Sequence, residues 1–212
     1  MVSMHRRQRG FWEYSEMKWK AFLIYIFIGG ILIGGTVSLW LNARGASRIA
    51  LLLRKAGAQV LDRPLDERIL SHTLKDPSSG TIRLESLLSP VTLINLWGAF
   101  CAPCKEEFPS LVSLATSHPK IRILAVSYDP DWKAVSDFLR EQGVPPQIGG
   151  MEILMDGEAD ENTDLKALLG THKIPETYVV LNERIIGRFI GSVDWTSPRV
   201  IALIRYLEEA VN

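Results

Sequence analysis

The sequence predicts an α/β domain, a mixed sheet with helices on both faces, standing behind one apolar N-terminal segment. Three observations lead there. Extended and helical patterns alternate from about residue 63 onward, residues 91–96 and 121–127 read as buried strands, and residues 21–41 carry no charged side chain. Strands buried on both faces need helices on both sides of their sheet.

The charge-free run includes Phe22, Leu23, Ile24, Ile26, Phe27 and Ile28. A helix of that length covers about 30 Å, the thickness of a bilayer's hydrocarbon core. Trp19 and Trp40 stand near its ends, where indole rings favour the water–lipid interface. A cleaved signal peptide is the competing reading, with Ala43-Arg44-Gly45 as its small-x-small site. The run exceeds the usual signal core of about 7–15 residues and has a long leader before it, which favours an uncleaved anchor. Arg6, Arg7, Arg9, Lys18 and Lys20 precede the run, and Arg44, Arg48, Arg54 and Lys55 follow it. That difference leans only slightly toward a cytoplasmic N-terminus. The expected organisation is a cytoplasmic segment over 1–20, a signal anchor over 21–41, a linker over 42–62 and a folded domain over 63–212. Ile49, Leu52, Leu53 and Ala56 recur at helical spacing, so the linker reads as a solvated, partly helical stalk.

In the domain, Asp76-Pro77-Ser78-Ser79-Gly80 marks a turn between extended segments near 69–74 and 81–84. The buried strand over 91–96 leads to a helix starting at about Cys101, with Pro109 inside it. After the strand at 121–127, Asp131 can cap a helix over 132–142 whose apolar face is Val135, Phe138 and Leu139. A short strand near 153–155 and a helix near 164–169 come next. Residues 177–181 and 185–191 read as a hairpin around Asn182-Glu183. Ser197-Pro198 opens a closing helix over 200–210.

Lys+Arg and Asp+Glu both number 24, so charge gives no argument for a nucleic-acid partner. The chain's two cysteines are separated by two residues, too close to brace distant parts of a small fold. With no other cysteine to mispair, the pair suits an oxidising compartment. The strand–turn–helix pattern puts Cys101 at a helix N-terminus, where unpaired N–H groups and the helix dipole stabilise a thiolate. Cys104, one turn on, can reach back and close a small disulfide. Those positions make Cys101 the attacking sulfur and Cys104 the resolving one. Half of a zinc site is a rival reading that needs two more ligands, and His5, His72, His118 and His172 show no paired spacing. An inert structural disulfide is another, though so short a loop adds little stability. The strand–turn–helix setting favours redox chemistry over both.

The segment Asn95-Leu96-Trp97-Gly98-Ala99-Phe100-Cys101-Ala102-Pro103-Cys104-Lys105-Glu106-Glu107-Phe108-Pro109 resembles the active-site segment of the TlpA/ResA/CcmG (DsbE) group of extracytoplasmic, thioredoxin-like proteins. Lys173-Ile174-Pro175-Glu176-Thr177-Tyr178-Val179-Val180 is similar to that group's cis-proline segment, especially in its CcmG branch. The resemblance covers roughly residues 63–212. It implies a thioredoxin-like fold with an N-terminal hairpin and an extra strand–helix insertion, and it makes an N-terminal membrane anchor usual.

By the same resemblance Cys101 matches the exposed nucleophile, Cys104 its buried partner, and Pro175 the cis-proline beside the sulfurs, with Ile174 next to it where a substrate pairs. Glu107 matches an acid that tunes the cysteines and proton transfer. A carboxylate merely favoured by the helix N-terminus explains it equally well, and Glu106 is a neighbour with the same claim. Trp97 is a candidate for shielding the disulfide and meeting substrate, with simple core packing as the alternative. Phe100 stands where the group usually has tryptophan, which keeps an apolar cover but removes an indole N–H.

The function implied is an extracytoplasmic thiol–disulfide oxidoreductase, a reductant in cytochrome c maturation that acts on apocytochrome c. It would draw electrons from a membrane donor of the DsbD/CcdA type and need no cofactor beyond the Cys101/Cys104 pair. No metal site and no nucleic-acid partner are expected. A bacterial cytoplasmic membrane, with the domain facing the periplasm or cell exterior, is the implied location. The alternatives are a general envelope protein-disulfide reductase, a non-enzymatic thiol metallochaperone, and a binding module with a vestigial motif.

Overall fold

The computed structural model describes residues 43–78, 80–145, 148–156 and 163–211. The expected anchor at 21–41 lies outside them. Among the described residues no helix is long and apolar enough to cross a membrane. A compact unit spans residues 49–212, and the segment before it forms a separate unit.

Helical backbone over 43–56 (α1) is followed by strand β1 (Gln59–Pro64). The segment read as a linker therefore enters the fold, because Leu53 and Ala58 are buried in the core and β1 pairs antiparallel with a later strand. Next comes a one-turn helix, α2 (Glu67–Leu70), capped by the Asp66 carboxylate on the Ile69 N–H at 3.1 Å. Residues 69–70 are thus helical rather than extended, since Asp66 supplies an N-cap that β-propensity does not register. Strands β2 (Thr73–Lys75) and β3 (Thr81–Arg83) form the expected hairpin, followed by α3 (Leu84–Leu87).

Strand β4 (Val91–Trp97) is buried at every position. It feeds α4 (Ala102–Ser117), β5 (Arg122–Ser127), α5 (Trp132–Glu141) and β6 (Met151–Met155). Asp131 caps α5 as expected, accepting from the Ala134 N–H at 2.8 Å. Helix α6 (Leu165–Leu169), the hairpin β7 (Glu176–Leu181) and β8 (Arg184–Ile190), and α7 (Pro198–Ala210) complete the chain. Asn182 and Glu183 both have positive φ, 47° and 60°, the backbone a two-residue hairpin turn requires.

The eight strands lie in one sheet in the order β1-β8-β7-β4-β5-β6-β2-β3. Strand β4 runs parallel to β5 and antiparallel to β7, so the sheet is mixed. Alternation along β4 divides the core. Leu93 and Trp97 join a cluster with α4, α5, α7 and Leu53 of α1, whereas Ile94 and Leu96 join Ile69 of α2, Leu84 of α3 and Leu165 of α6. This is the thioredoxin-like α/β arrangement. It places the C-terminal end of the central strand, and whatever follows it, between a helix N-terminus and the start of β7.

Candidate redox site

Strand β4 ends at Trp97, and three residues turn the chain into α4. The Cys101 N–H donates to the Gly98 carbonyl at 3.1 Å, and the Tyr128 N–H of the neighbouring strand end donates to the Trp97 carbonyl at 2.9 Å. Asp129, buried after β5, accepts from the Ala99 N–H at 2.8 Å and from the Ser127 hydroxyl at 2.7 Å. Its carboxylate thus fastens the turn two residues before Cys101. A Cβ on Gly98 would collide with the Phe100 ring, so glycine lets that ring fold back over the turn.

Cys101 is the N-cap of α4, and its Sγ accepts from the Cys104 N–H at 3.3 Å. The two residues form a disulfide, with Cα atoms 5.2 Å apart. Pro103 falls in the first turn, where a missing N–H costs nothing. Burial separates the sulfur-bearing residues: Cys101 keeps 9% of its surface exposed and Cys104 only 1%. An incoming group meets Cys101 first. Phe100 beside it is 67% exposed, an apolar ring presented to solvent next to the reactive pair.

The Ile174-Pro175 peptide bond is cis, and the Ile174 carbonyl oxygen stands 3.8 Å from Cys101 Sγ. The Gly191 N–H holds this corner by donating to the Pro175 carbonyl at 2.9 Å. Residues about 73 positions apart in sequence are thereby brought face to face. Glu176, which follows, turns to the other side of the sheet within ion-pair distance of Arg188, at 3.1 Å.

Glu107 is only 2% exposed and lies beyond the first turn of α4, so a helix-end carboxylate does not describe it. Exposed Glu106 is not equivalent to it. Burial pushes the Glu107 carboxyl up to about 7, opposed by donors from Asn95, Val193 and Trp195. The Asn95 side-chain amide donates to Oε1 at 2.8 Å, and the Val193 N–H donates to Oε2 at 3.0 Å. Three residues past Cys104 on the same helix, Glu107 shares its face, with Cβ atoms about 5–6 Å apart by helix geometry.

Trp97 is corrected as a substrate contact. It is fully buried, packed against Phe108 and Phe138 at ring-centroid distances of 4.6 and 5.1 Å, so its indole is core packing. Cys101, Cys104, Phe100, Ile174, Pro175 and Glu107 converge on one end of the sheet. Asn95, Thr177 and Asp129 were not singled out from sequence. An amide in the middle of an apolar strand was the available signal for Asn95, and nothing local marks Asp129.

Residues 65–188 match the AhpC/TSA family. Among similar proteins, the thiol:disulfide interchange protein DsbE of Allochromatium vinosum is 28% identical over 142 residues, covering 66% of this chain and 72% of that one. The thiol:disulfide interchange protein HelX of Rhodobacter capsulatus is 29% identical over 171 residues, covering 80% and 85%. A secreted Mycobacterium tuberculosis disulfide oxidoreductase of known structure superposes with a TM-score of 0.52 at 20% identity, over 65% of this chain and 98% of that one. At that identity the superposition speaks to the fold.

Proposed function

The chain belongs to the AhpC/TSA family, and from that premise we propose that Cys101 and Cys104 carry out its exchange reaction as nucleophile and resolving thiol. The protein is a thiol–disulfide oxidoreductase. The observation that carries the assignment of roles is Cys101 at the N-terminus of α4, the more exposed of the pair and facing the Ile174 carbonyl, with Cys104 buried behind it.

In the reducing direction the Cys101 thiolate attacks one sulfur of a client disulfide. The client S–S bond breaks, a mixed disulfide forms, and the first client thiolate leaves. Cys104 then gives its proton to the Glu107 carboxylate and attacks Cys101 Sγ. The bond to the client breaks, the second client thiolate leaves, and the Cys101–Cys104 disulfide remains. Two electrons have passed to the client, and no cofactor enters the sequence. A proton acceptor titrating near neutral pH is suited to this step. The Ile174–Pro175 corner and Phe100 form the surface against which an extended client segment lies.

The client we favour is apocytochrome c, whose thiols must be reduced before haem attachment, on the strength of the CcmG-like segment around Pro175. The electron donor would be a membrane thiol transporter of the DsbD/CcdA type. Residues 21–41 would anchor the chain in a bacterial cytoplasmic membrane, with the domain on the periplasmic or outer side. Replacing Cys104 with Ala tests this: the Cys104→Ala chain should accumulate a mixed disulfide through Cys101, and mass spectrometry identifies the trapped protein. Apocytochrome c supports the proposal, and other envelope proteins point to a general reductase. Tight stoichiometric copper binding with no trapped partner points to a metallochaperone. A reduction potential near about −120 mV, rather than near thioredoxin's value of about −270 mV, would remove the reductant role.

A further inference from the structure

We propose that Asn95 is a positioning residue for this reaction: its side-chain amide holds Glu107 through whichever end matches the carboxyl's protonation state, and so sets where Glu107 takes up its proton. The inference rests on the exchange reaction above and on Glu107 as its proton acceptor.

Asn95 has no exposed surface, and an amide placed in the middle of β4 is costly unless its polar atoms are used. Its Nδ2 donates both to Glu107 Oε1 and to Thr177 Oγ1, each at 2.8 Å. Its Oδ1 is buried without a hydrogen-bond partner among the described residues. One end of the amide is thus committed to the carboxylate and the other end is held in reserve.

The groups that reach the Glu107 carboxyl come from two segments. Strand β4 supplies the Asn95 amide, and the segment between β8 and α7 supplies the Val193 N–H. The Trp195 indole also favours the ionised form without reaching hydrogen-bond geometry. Strand β7 acts only through Thr177 on Asn95. On α4 itself Cys104 is the titratable neighbour, and it is oxidised here. Among the described residues no charged side chain contributes to the Glu107 shift. The balance between the two forms of Glu107 is therefore set by burial against neutral donors.

An ionised carboxyl can only accept hydrogen bonds, whereas a protonated one must also donate. Nδ2 answers the first need. Half a turn of the amide puts Oδ1 in its place, facing the new Glu107 O–H and the Thr177 hydroxyl, which can donate as readily as accept. Leucine at position 95 would keep the volume and serve neither form, and the ionised form would lose a charge-assisted bond.

The test uses the full chain in detergent, following the Glu107 carboxyl carbon by NMR, with Glu107→Gln identifying the signal. In Asn95→Leu the Glu107 midpoint should rise by about one to two pH units. The pH midpoint of the resolving step, measured on a preformed mixed disulfide with a client peptide, should rise with it. In the unmodified protein the Asn95 side-chain amide resonances should titrate at the Glu107 midpoint, a measurement that needs no variant to fold. An unmoved Glu107 midpoint in folded Asn95→Leu, or amide resonances that ignore the Glu107 titration, would overturn the role of Asn95 alone. Should Glu107→Gln leave the resolving step and its pH profile unchanged, Glu107 is not the proton acceptor, and Asn95 loses its part in the exchange.

Discussion

Glu107 is buried without a counter-ion among the described residues, so folding changes its proton affinity and stability must follow pH. Its carboxyl titrates at about 7 in the folded chain against 4.5 for a free glutamate. Between those values the folded state holds a proton that the unfolded state has released, and stability falls as pH rises through that window, levelling off above it. The loss amounts to about 3 kcal/mol. Glu107→Gln should flatten the dependence and leave the oxidised protein more stable at pH 8 by up to that amount, as urea unfolding at pH 5 and pH 8 will show. Phe100 behaves oppositely. Its ring is exposed, so Phe100→Ser should change stability by no more than about 0.5 kcal/mol. Exchange with a protein client should nevertheless slow about tenfold, while exchange with a small-molecule disulfide is unaffected. Residue type alone separates neither case: Glu106 and Glu107 are the same residue side by side, one exposed and one buried, and helical phase decides which is which.

At the scale of the element, much was legible because the signals are local. Apart from Asn95, Val91–Trp97 is a run of apolar and β-branched residues, and a run of that kind reads as a buried strand. Asp131 and Ser197-Pro198 mark helix starts through chemistry confined to one turn. Asp131→Ala should accordingly cost about 1 kcal/mol in thermal unfolding. The hairpin turn offers the converse test. Glu183 sits at φ 60°, where a side chain is strained and glycine is not, so Glu183→Gly should stabilise the protein by up to about 1 kcal/mol. Elements before β4 depart from the local pattern for related reasons. Ile69 and Leu70 are apolar and suit a strand, but the Asp66 cap closes a helical turn over them. The stretch that reads as a stalk contains β1, whose partner β8 lies more than a hundred residues away in sequence, and no local pattern announces a pairing of that range.

For the whole molecule, β1 and Leu53 belong to the compact unit that begins at Ile49. A chain starting at residue 49 should retain the thermal stability of the full domain. One starting at residue 63 loses Leu53 from the core, most of β1 from the sheet edge, and at least the roughly 2–5 kcal/mol of a large buried side chain. The sequence alone determined the α/β class, the order of strands and helices from β4 onward, the redox pair and its place at a helix start, because each rests on periodicity or spacing within about twenty residues. Tertiary structure decided which atoms meet around that pair, beyond the cis-Pro175 that the resemblance implied. The Ile174 carbonyl at Cys101, the Asp129 carboxylate on the Ala99 N–H, and the Glu107–Asn95–Thr177 chain of hydrogen bonds join residues from different strands, helices and loops. Sheet order and register bring those atoms within bonding distance, and one sequence read without its partners contains no distance between them.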